Sequence, residues 1–167
     1  AEPDIDASLI GISMLNDGLT GWIVGSDFEK GRIFKTTDGW QTWSEQDVSS
    51  ITMGKFSAVD FSDDQNGWIV GKAGIILHTS NGGDNWEIQG TGITAVDLKA
   101  VSAIGANNCW IAGYDGTILY TTDGGTKWLA ATTATTNHFY GLDMFDTNHG
   151  IAVGKKETLY FTTDGVN

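Results

Sequence analysis

Four side chains that could bind a metal ion or act as catalytic acids recur at matching places, in a motif of the form Thr-x-Asp-Gly. They are Asp38, Asn81, Asp123 and Asp164, spaced 41 to 43 residues apart. Carboxylates hold Ca²⁺ and transfer protons in general acid–base catalysis. One of the four is an amide, however, and each lies in a separate repeat unit, so we expect them to lie far apart. The motif therefore predicts a structural turn, with no metal and no cofactor.

The most complete copy of the motif, Thr121–Trp128, indicates what this turn requires. An Asp or Asn side chain can accept hydrogen bonds from backbone N–H groups two or three residues further on, which closes an Asx turn. Glycine permits the left-handed backbone that follows. Trp40 and Val166 replace the second glycine in two copies, so we expect distorted turns there. The closing tryptophan should anchor the outgoing strand, at Trp43, Trp86 and Trp128.

A second motif recurs in fixed phase with the first. Apolar runs that end in glycine stand at Gly21–Gly25, Gly67–Gly71, Cys109–Gly113 and Gly150–Gly154. From the closing glycine to the Asp or Asn of the next turn is ten residues in three units and thirteen in the first, where a longer hairpin tip takes up the difference. Two motifs in phase predict repeat units. Their bounds are roughly 8–50, 51–92, 93–134 and 135–167, the last incomplete.

The second unit can be interpreted strand by strand. Phe56–Phe61 alternates apolar with small or polar residues, as a half-buried strand does, and Trp68–Val70 is a short apolar strand. A third strand is expected at Ile75–Thr79, and Trp86–Gln89 begins a fourth. Four antiparallel strands in about 42 residues are typical of a β-propeller blade. The sequence therefore predicts an all-β fold, one domain of four visible blades, the fourth without its outer strand.

In a propeller the first strand of each blade lines the central channel, so polar and aromatic side chains there are candidates for ligand binding. The candidates are Lys55 and Asp60 in the second unit, Lys99 in the third, and His138 and Tyr140 in the fourth. A ring of such side chains could hold a ligand in the central funnel. The alternative is that water simply solvates them in the channel.

Charge and composition exclude several classes of partner. The net charge is −12 and Arg32 is the single arginine, a balance that repels nucleic acid and anionic lipid. No run of 18 or more apolar residues occurs, so no membrane insertion is predicted. Cys109 is the single cysteine, and its apolar neighbours predict an inert, packed thiol. A start at Ala1 suits a processed exported protein, and equally a boundary within a longer chain. We expect an extracytoplasmic location: periplasmic, secreted or cell-surface.

The Thr-x-Asp-Gly-Gly-x-x-Trp pattern resembles the Asp-box of the bacterial neuraminidase (BNR) repeat, over nearly the whole chain. Together with the Gly-Trp-x-Val-Gly runs, it makes the chain similar to the photosystem II stability and assembly factor-like propellers. This resemblance implies a non-enzymatic scaffold, normally of about seven blades, that binds other proteins. Members occur as exported proteins outside photosynthesis. The arginine-rich binding patch of that family has no counterpart here, because Arg32 stands alone.

Two enzyme classes are built on Asp-box propellers. A sialidase needs several arginines to clamp a carboxylate, together with a Tyr–Glu pair, and a single arginine excludes that chemistry. A xyloglucan-type glycoside hydrolase needs two carboxylates across a cleft, which usually lies between two propellers. The abundant Asp residues keep a fragment of a glycoside hydrolase, or of a carbohydrate-binding propeller, as the alternative. The sequence contains no serine-hydrolase, zinc-protease or nucleotide-binding motif.

The prediction is therefore a non-enzymatic binding or assembly scaffold that presents contacts to a protein, or to a glycan, on a rigid ring. A purely structural element of a larger extracellular assembly is a weaker alternative. Because the end faces of four blades are apolar, we expect further blades or self-association to cover them. The last motif stops at Asn167, which aligns with Thr126 and precedes the place of its tryptophan. We therefore expect the functional protein to be larger than this chain.

Overall fold

The computed structural model of the protein describes residues 7–28, 30–49, 51 and 54–166. The expectations attached to Ala1 and Asn167 fall on residues outside these ranges. Within them the chain forms four antiparallel sheets, which follow one another in chain order and are called blades 1 to 4 below. In each blade consecutive strands are neighbours, so every sheet is a simple meander. The all-β propeller fold is thereby confirmed.

The strands have the following bounds. Blade 1 contains β1 (Ser8–Met14), β2 (Gly21–Ser26), β3 (Gly31–Thr36) and β4 (Ser44–Glu45). Blade 2 contains β5 (Phe56–Phe61), β6 (Gly67–Gly71), β7 (Ile76–Thr79) and β8 (Glu87–Gln89). Blade 3 contains β9 (Leu98–Ile104), β10 (Asn108–Gly113), β11 (Ile118–Thr121) and β12 (Leu129–Ala130). Blade 4 contains β13 (Phe139–Met144), β14 (Gly150–Gly154) and β15 (Leu159–Thr162).

The third strand of blade 2 begins one residue later than its apolar pattern predicts, because a 3₁₀ turn at Lys72–Gly74 precedes it. Ile75 closes this turn by donating its N–H to the carbonyl of Lys72 at 3.2 Å. Both Ala73, at φ 55°, and Gly74, at φ 75°, take the left-handed conformation. One non-glycine residue thus adopts the backbone that favours glycine.

Tryptophan side chains fill the spaces between blades. Trp22 of blade 1 stacks on Phe61 of blade 2, with ring centroids 3.4 Å apart and planes 5° apart. The Asp-box Trp86 meets the same Phe61 ring edge-on at 5.9 Å. Trp68 and Trp128 pack together in the equivalent core between blades 2 and 3. Each blade therefore buries the apolar face of its neighbour, which a single blade could not do alone.

The packing differs between blades 3 and 4 and at the outer face of blade 1. Between blades 3 and 4, the Trp110 indole N–H donates to the carbonyl of Gly165 at 2.7 Å, and a cavity remains beside it, lined by Ile118 and Tyr160 among others. No closing tryptophan of blade 4 occurs in the described part of the chain to occupy this space. Trp43 of blade 1 is only partly buried and packs beside Trp40, with centroids 4.9 Å apart.

The inner strands of successive blades, β1, β5, β9 and β13, lie next to one another and surround the axis of the array. A hydrogen bond of constant register joins each to the next. The donor and acceptor pairs are Phe61 N to Ser13 Oγ (3.1 Å), Ala103 N to Asp60 Oδ2 (2.8 Å) and Met144 N to Ser102 Oγ (3.1 Å). We call this series the inter-blade relay. In every case the side chain of one blade accepts from the backbone of the blade that follows.

Two properties expected from composition can be examined directly. Cys109 is fully buried, and burial raises the pKa of its thiol well above the usual value, so the thiol stays protonated. Among the described residues, no helix is long and apolar enough to cross a membrane.

Candidate functional site

The predicted channel residues lie at two levels of the inner strands. Lys55 directly precedes β5, Lys99 is the second residue of β9, and His138 directly precedes β13. These three positions, with Tyr140, mark the end of the axis at which the inner strands begin. Asp60 lies near the opposite end of β5. The five candidates therefore do not form one ring.

Three of the candidates come together around a tyrosine of blade 3. The ring of Tyr114 stacks on His138 with centroids 4.2 Å apart, and Lys99 Nζ lies 4.6 Å from the centre of the Tyr114 ring. Tyr140 meets Tyr114 edge-on at 6.2 Å and His138 at 6.4 Å. We call these four side chains, Lys99, Tyr114, His138 and Tyr140, the aromatic cluster. Tyr140 is 52% exposed, so the cluster presents the aromatic ring and the hydroxyl of this tyrosine to solvent.

Backbone and carboxylate groups hold the aromatic cluster in place. The N–H of Asp115 donates to Nδ1 of His138 at 3.1 Å. Because Nδ1 accepts this bond, the neutral imidazole carries its proton on Nε2. Asp97 binds Lys99 Nζ at 3.4 Å through one oxygen and accepts the N–H of Ala73 at 3.1 Å through the other. Groups of blades 2, 3 and 4 thus converge on this end of the axis.

Sequence reasoning missed Tyr114. It directly follows Gly113, the closing glycine of the apolar run, and the corresponding residues in the second and fourth units are Lys72 and Lys155. Tyr114 lies in the turn after the second strand of its blade. That turn lies at the same end of the axis as the start of the inner strand, and this was the available signal. A comparison of the turns across units would have placed Tyr114 beside the start of β13.

Asp60 has a different role, because it belongs to the inter-blade relay. Its Oδ1 accepts the hydroxyl of Ser13 at 3.3 Å, while Oδ2 accepts the N–H of Ala103. Burial raises the pKa of this carboxyl, and the bonds donated by Ala103 and Ser13 offset part of that rise. The carboxylate joins three blades, so its oxygens are engaged within the fold rather than turned towards a ligand.

Lys55 stands apart from the aromatic cluster. Its backbone carbonyl accepts the N–H of Lys72 at 2.9 Å, which ties the start of β5 to the turn after β6. In the described ranges no contact links its half-buried side chain to Lys99, His138 or Tyr140. It remains a candidate by position at the same end of the axis.

The Asp-box residues close individual turns. Asp123 Oδ1 accepts the N–H of Lys127 at 2.9 Å and the hydroxyl of Thr121 at 2.9 Å. Asn81 Oδ1 makes the equivalent bonds with Asn85, at 3.0 Å, and Thr79, at 2.9 Å. The backbone N–H groups of Lys127 and Asn85 lie four residues after the acceptor, whereas the sequence predicts two or three. The loop before the tryptophan is longer than a simple Asx turn.

The first and last copies of the motif vary this geometry. Asp38 accepts from the N–H groups of Gln41 and Thr42, at 3.1 and 2.9 Å, and Asp164 accepts from Val166 at 3.0 Å. Trp40 takes the left-handed conformation at φ 76°, close to the φ of the second glycine in other copies. The backbone at Trp40 is therefore not distorted in the way that the sequence predicts, and the tryptophan carries the strain of the left-handed conformation.

None of these acids joins another to form a metal site. Among the described residues no group of three or more His, Cys, Asp or Glu side chains is placed to hold a metal ion. The side chains that converge are aromatic and cationic, and they suit a binding surface in which rings supply contact area and polar tips supply hydrogen bonds.

Comparison with known proteins assigns the chain to a family. A sequence model of the family described as "Photosynthesis system II assembly factor YCF48" matches residues 2–137. This chain belongs to that family. The match covers the first three blades and ends directly before His138.

The curated relatives are named as photosystem II assembly proteins. The chain is 34% identical over 76 residues to "Photosystem II stability/assembly factor HCF136, chloroplastic" of Oryza sativa subsp. japonica, which covers 43% of this chain and 17% of the relative. It is 34% identical over 68 residues to "Photosystem II assembly lipoprotein Ycf48" of Synechococcus sp. (strain CC9902), which covers 40% of this chain and 19% of the relative. The matched segments thus span less than a fifth of these relatives.

Solved structures agree on the fold. A YCF48 structure described as bound to a D1 peptide superposes with a TM-score of 0.74 and 25% identity, over 93% of this chain and 50% of that chain. This chain therefore spans about half the length of that one. A GH74 enzyme, described as ancestral, superposes with a TM-score of 0.71 at 13% identity, over 98% of this chain and 24% of that chain. That likeness shows a shared propeller fold alone, and a fragment of a glycoside hydrolase stays the alternative hypothesis.

Proposed function

We propose that this chain is a non-enzymatic, protein-binding assembly module and that its aromatic cluster contacts the bound peptide. The observation that carries the proposal is the convergence of Lys99, Tyr114, His138 and Tyr140 at one end of the axis, with the Tyr140 ring exposed. Tyrosine is enriched among the residues that dominate protein interfaces, because its ring is large and rigid and its hydroxyl is polar.

Family membership supports a protein ligand. The YCF48 structure bound to a D1 peptide is an instance of peptide binding by a propeller of this family. The acidic side chains support a role without catalysis, since Asp60 joins blades and Asp123 closes a turn. An extracytoplasmic location goes with this proposal, because the relatives are named as chloroplastic and as a lipoprotein.

A peptide array tests the proposal directly. The probe is a set of overlapping peptides that cover the D1 protein, with scrambled versions of each, and the readout is the dissociation constant of the strongest hits in solution. Tyr140→Ala is expected to weaken binding by about tenfold or more, since truncation of a tyrosine at an interface hot spot costs about 2 kcal/mol or more.

Phe145→Ala is the matched control. Phe145 is also an exposed aromatic side chain, and it follows the opposite end of the same strand, β13. It should leave the dissociation constant unchanged. Equal binding by the wild-type chain and Tyr140→Ala would contradict the proposed site, and release of reducing sugar from xyloglucan would favour the glycoside hydrolase alternative.

A further inference from the structure

The aromatic cluster has several hydrogen-bond donors without an acceptor. In the neutral imidazole of His138 the proton lies on Nε2, because Nδ1 accepts the N–H of Asp115. In the part of the chain that the structure describes, no group accepts a hydrogen bond from this Nε2–H or from the hydroxyls of Tyr114 and Tyr140. These three donors are therefore available to a ligand.

Lys99 supplies the positive charge of the aromatic cluster. Its ammonium lies 4.6 Å from the centre of the Tyr114 ring and 3.4 Å from one oxygen of Asp97, and its side chain is 21% exposed. An ammonium has three N–H donors, so these two contacts leave one free. The other oxygen of Asp97 accepts the N–H of Ala73 at 3.1 Å, which holds the carboxylate beside the lysine. Lys99 is thus fixed in place and keeps a donor for a ligand.

Charge is divided between the two ends of the blades. Lys155 donates its N–H to the carbonyl of His138 at 2.8 Å, so this lysine lies where β13 begins. The Asp-boxes lie at the other end, since Gly82 donates its N–H to the carbonyl of Gln65 in the turn after β5 at 2.8 Å. Lysines at the end that holds the aromatic cluster outnumber the exposed acids of its turns; the lysines are Lys55, Lys72, Lys99, Lys155 and Lys156, and the acids are Asp115 and Glu157.

We propose that the aromatic cluster recognises a carboxylate of its peptide ligand, an inference that rests on the proposed peptide-binding function. The ammonium of Lys99 forms the ion pair with this carboxylate, in a charge-assisted hydrogen bond that is stronger than a neutral one. The exposed ring of Tyr140 packs against the neighbouring residue of the peptide. The Nε2–H of His138 donates to a backbone carbonyl of the peptide. The carboxylate belongs to an Asp or Glu side chain or to a free C-terminus, which share this chemistry.

Matched peptides test the carboxylate and identify its source. The probes are the strongest-binding D1 peptides of the array, each compared with a version in which every Asp and Glu is replaced by Asn and Gln, and with a version whose C-terminus is amidated. Dissociation constants are measured in solution at low ionic strength, because salt screens exposed ion pairs. Loss of the recognised carboxylate is expected to weaken binding by about tenfold. The net charge of −12 alone predicts the opposite order, since it repels acidic peptides.

Substitution of Lys99 tests the ion pair itself. Lys99→Met removes the charge and keeps an unbranched apolar side chain, so it should weaken binding of the carboxylate peptide by about tenfold and leave the neutral version nearly unchanged. Lys99→Arg should retain the preference for the carboxylate. Lys127→Met is the matched control, because it removes one positive charge at an Asp-box, at the other end of the blades. It should leave the affinity for both peptides unchanged.

The outcomes separate this inference from the proposed function. Binding that depends on Tyr140 but is equally strong with the carboxylate and neutral peptides would overturn the inference and leave the function in place. An equal loss of both peptides in Lys99→Met would give the lysine a purely structural role and would likewise overturn it. Absence of any peptide binding would contradict the function and the inference together. Thermal melts followed by circular dichroism verify that each variant folds.

Discussion

The Asp-box shows that one side-chain oxygen is sufficient to close the turn. Asn81, which has one carbonyl oxygen, makes the same pair of bonds as Asp123. The carboxylate of Asp123 adds a negative charge and has a second oxygen where the amide has an NH2 group. The N–H of Lys127 and the hydroxyl of Thr121 hold the pKa of Asp123 below its usual value. Asp38 and Asp123 thus add a dependence on pH that Asn81 lacks.

Asp123→Asn should therefore preserve the turn and reduce the acid sensitivity of the protein. A carboxyl whose folded pKa is lowered contributes stability above its unfolded pKa of about 3.9, and that contribution is lost as the pH falls through the folded pKa. We expect a smaller drop in Tm between pH 7 and pH 3 for the variant than for the wild type. Asn81→Asp is the reciprocal control, and it should enlarge the drop. Identical pH profiles for all three proteins would contradict this account.

At the scale of the element, the tryptophan that ends an Asp-box holds two blades together through apolar packing. Trp86 and Trp128 are buried between blades, and their indole N–H groups have no hydrogen-bond partner among the described residues. Ring contact, rather than a hydrogen bond, must therefore supply their stabilisation.

Trp86→Ala and Trp128→Ala are each expected to lower the free energy of unfolding by roughly 3–5 kcal/mol, the usual cost of deleting a large buried side chain. Trp43→Ala should cost about 1 kcal/mol or less, since its main contact is the ring of Trp40. Urea denaturation followed by circular dichroism measures all three. Trp86→Phe should retain most of the stability, because no hydrogen bond is lost with the indole. A large loss in Trp43→Ala would show that blade 1 is covered in solution.

The sequence predicted the blades well because their signals are local and repeated. The apolar runs ending in Gly71 and Gly113 fix the second strand of blades 2 and 3, and the Asp-box fixes the turn before the outer strand. The aromatic cluster was harder to predict, because Tyr114 and His138 are distant in sequence and meet only when blades 3 and 4 stack. Asp60 was misleading for a related reason. The sequence predicts that an acidic residue on an inner strand lines the channel. Only the structure shows that Asp60 accepts the N–H of Ala103.

At the scale of the whole molecule, the array behaves as a row of units that contact only their neighbours. In such a row the stability of each unit depends on the interfaces it makes. Blade 2 and blade 3 have a neighbour on both sides, whereas blade 4 has one described neighbour and three described strands. Blade 4 should therefore open more often than the central blades.

Hydrogen exchange measured by mass spectrometry checks this ordering. Peptides that cover β13 to β15 should exchange faster than peptides that cover β5 to β7, since local opening is favoured where fewer buried contacts are lost. The measurement is made on the 167-residue chain at low protein concentration. Equal protection of blades 2 and 4 under these conditions would mean that the chain unfolds as a single cooperative unit.

The inter-blade relay also bears on how such a chain can lengthen by duplication. Among the described residues, each of the two central inner strands, β5 and β9, offers an acceptor to the blade after it and a donor to the blade before it, as Asp60 and Phe61 do on β5. A copied unit inserted between two blades would receive one bond and provide another, so no N–H at the axis would lose its partner. An insertion of part of a unit would break the register of every later bond. The direction of the relay therefore favours growth of the gene by whole repeats.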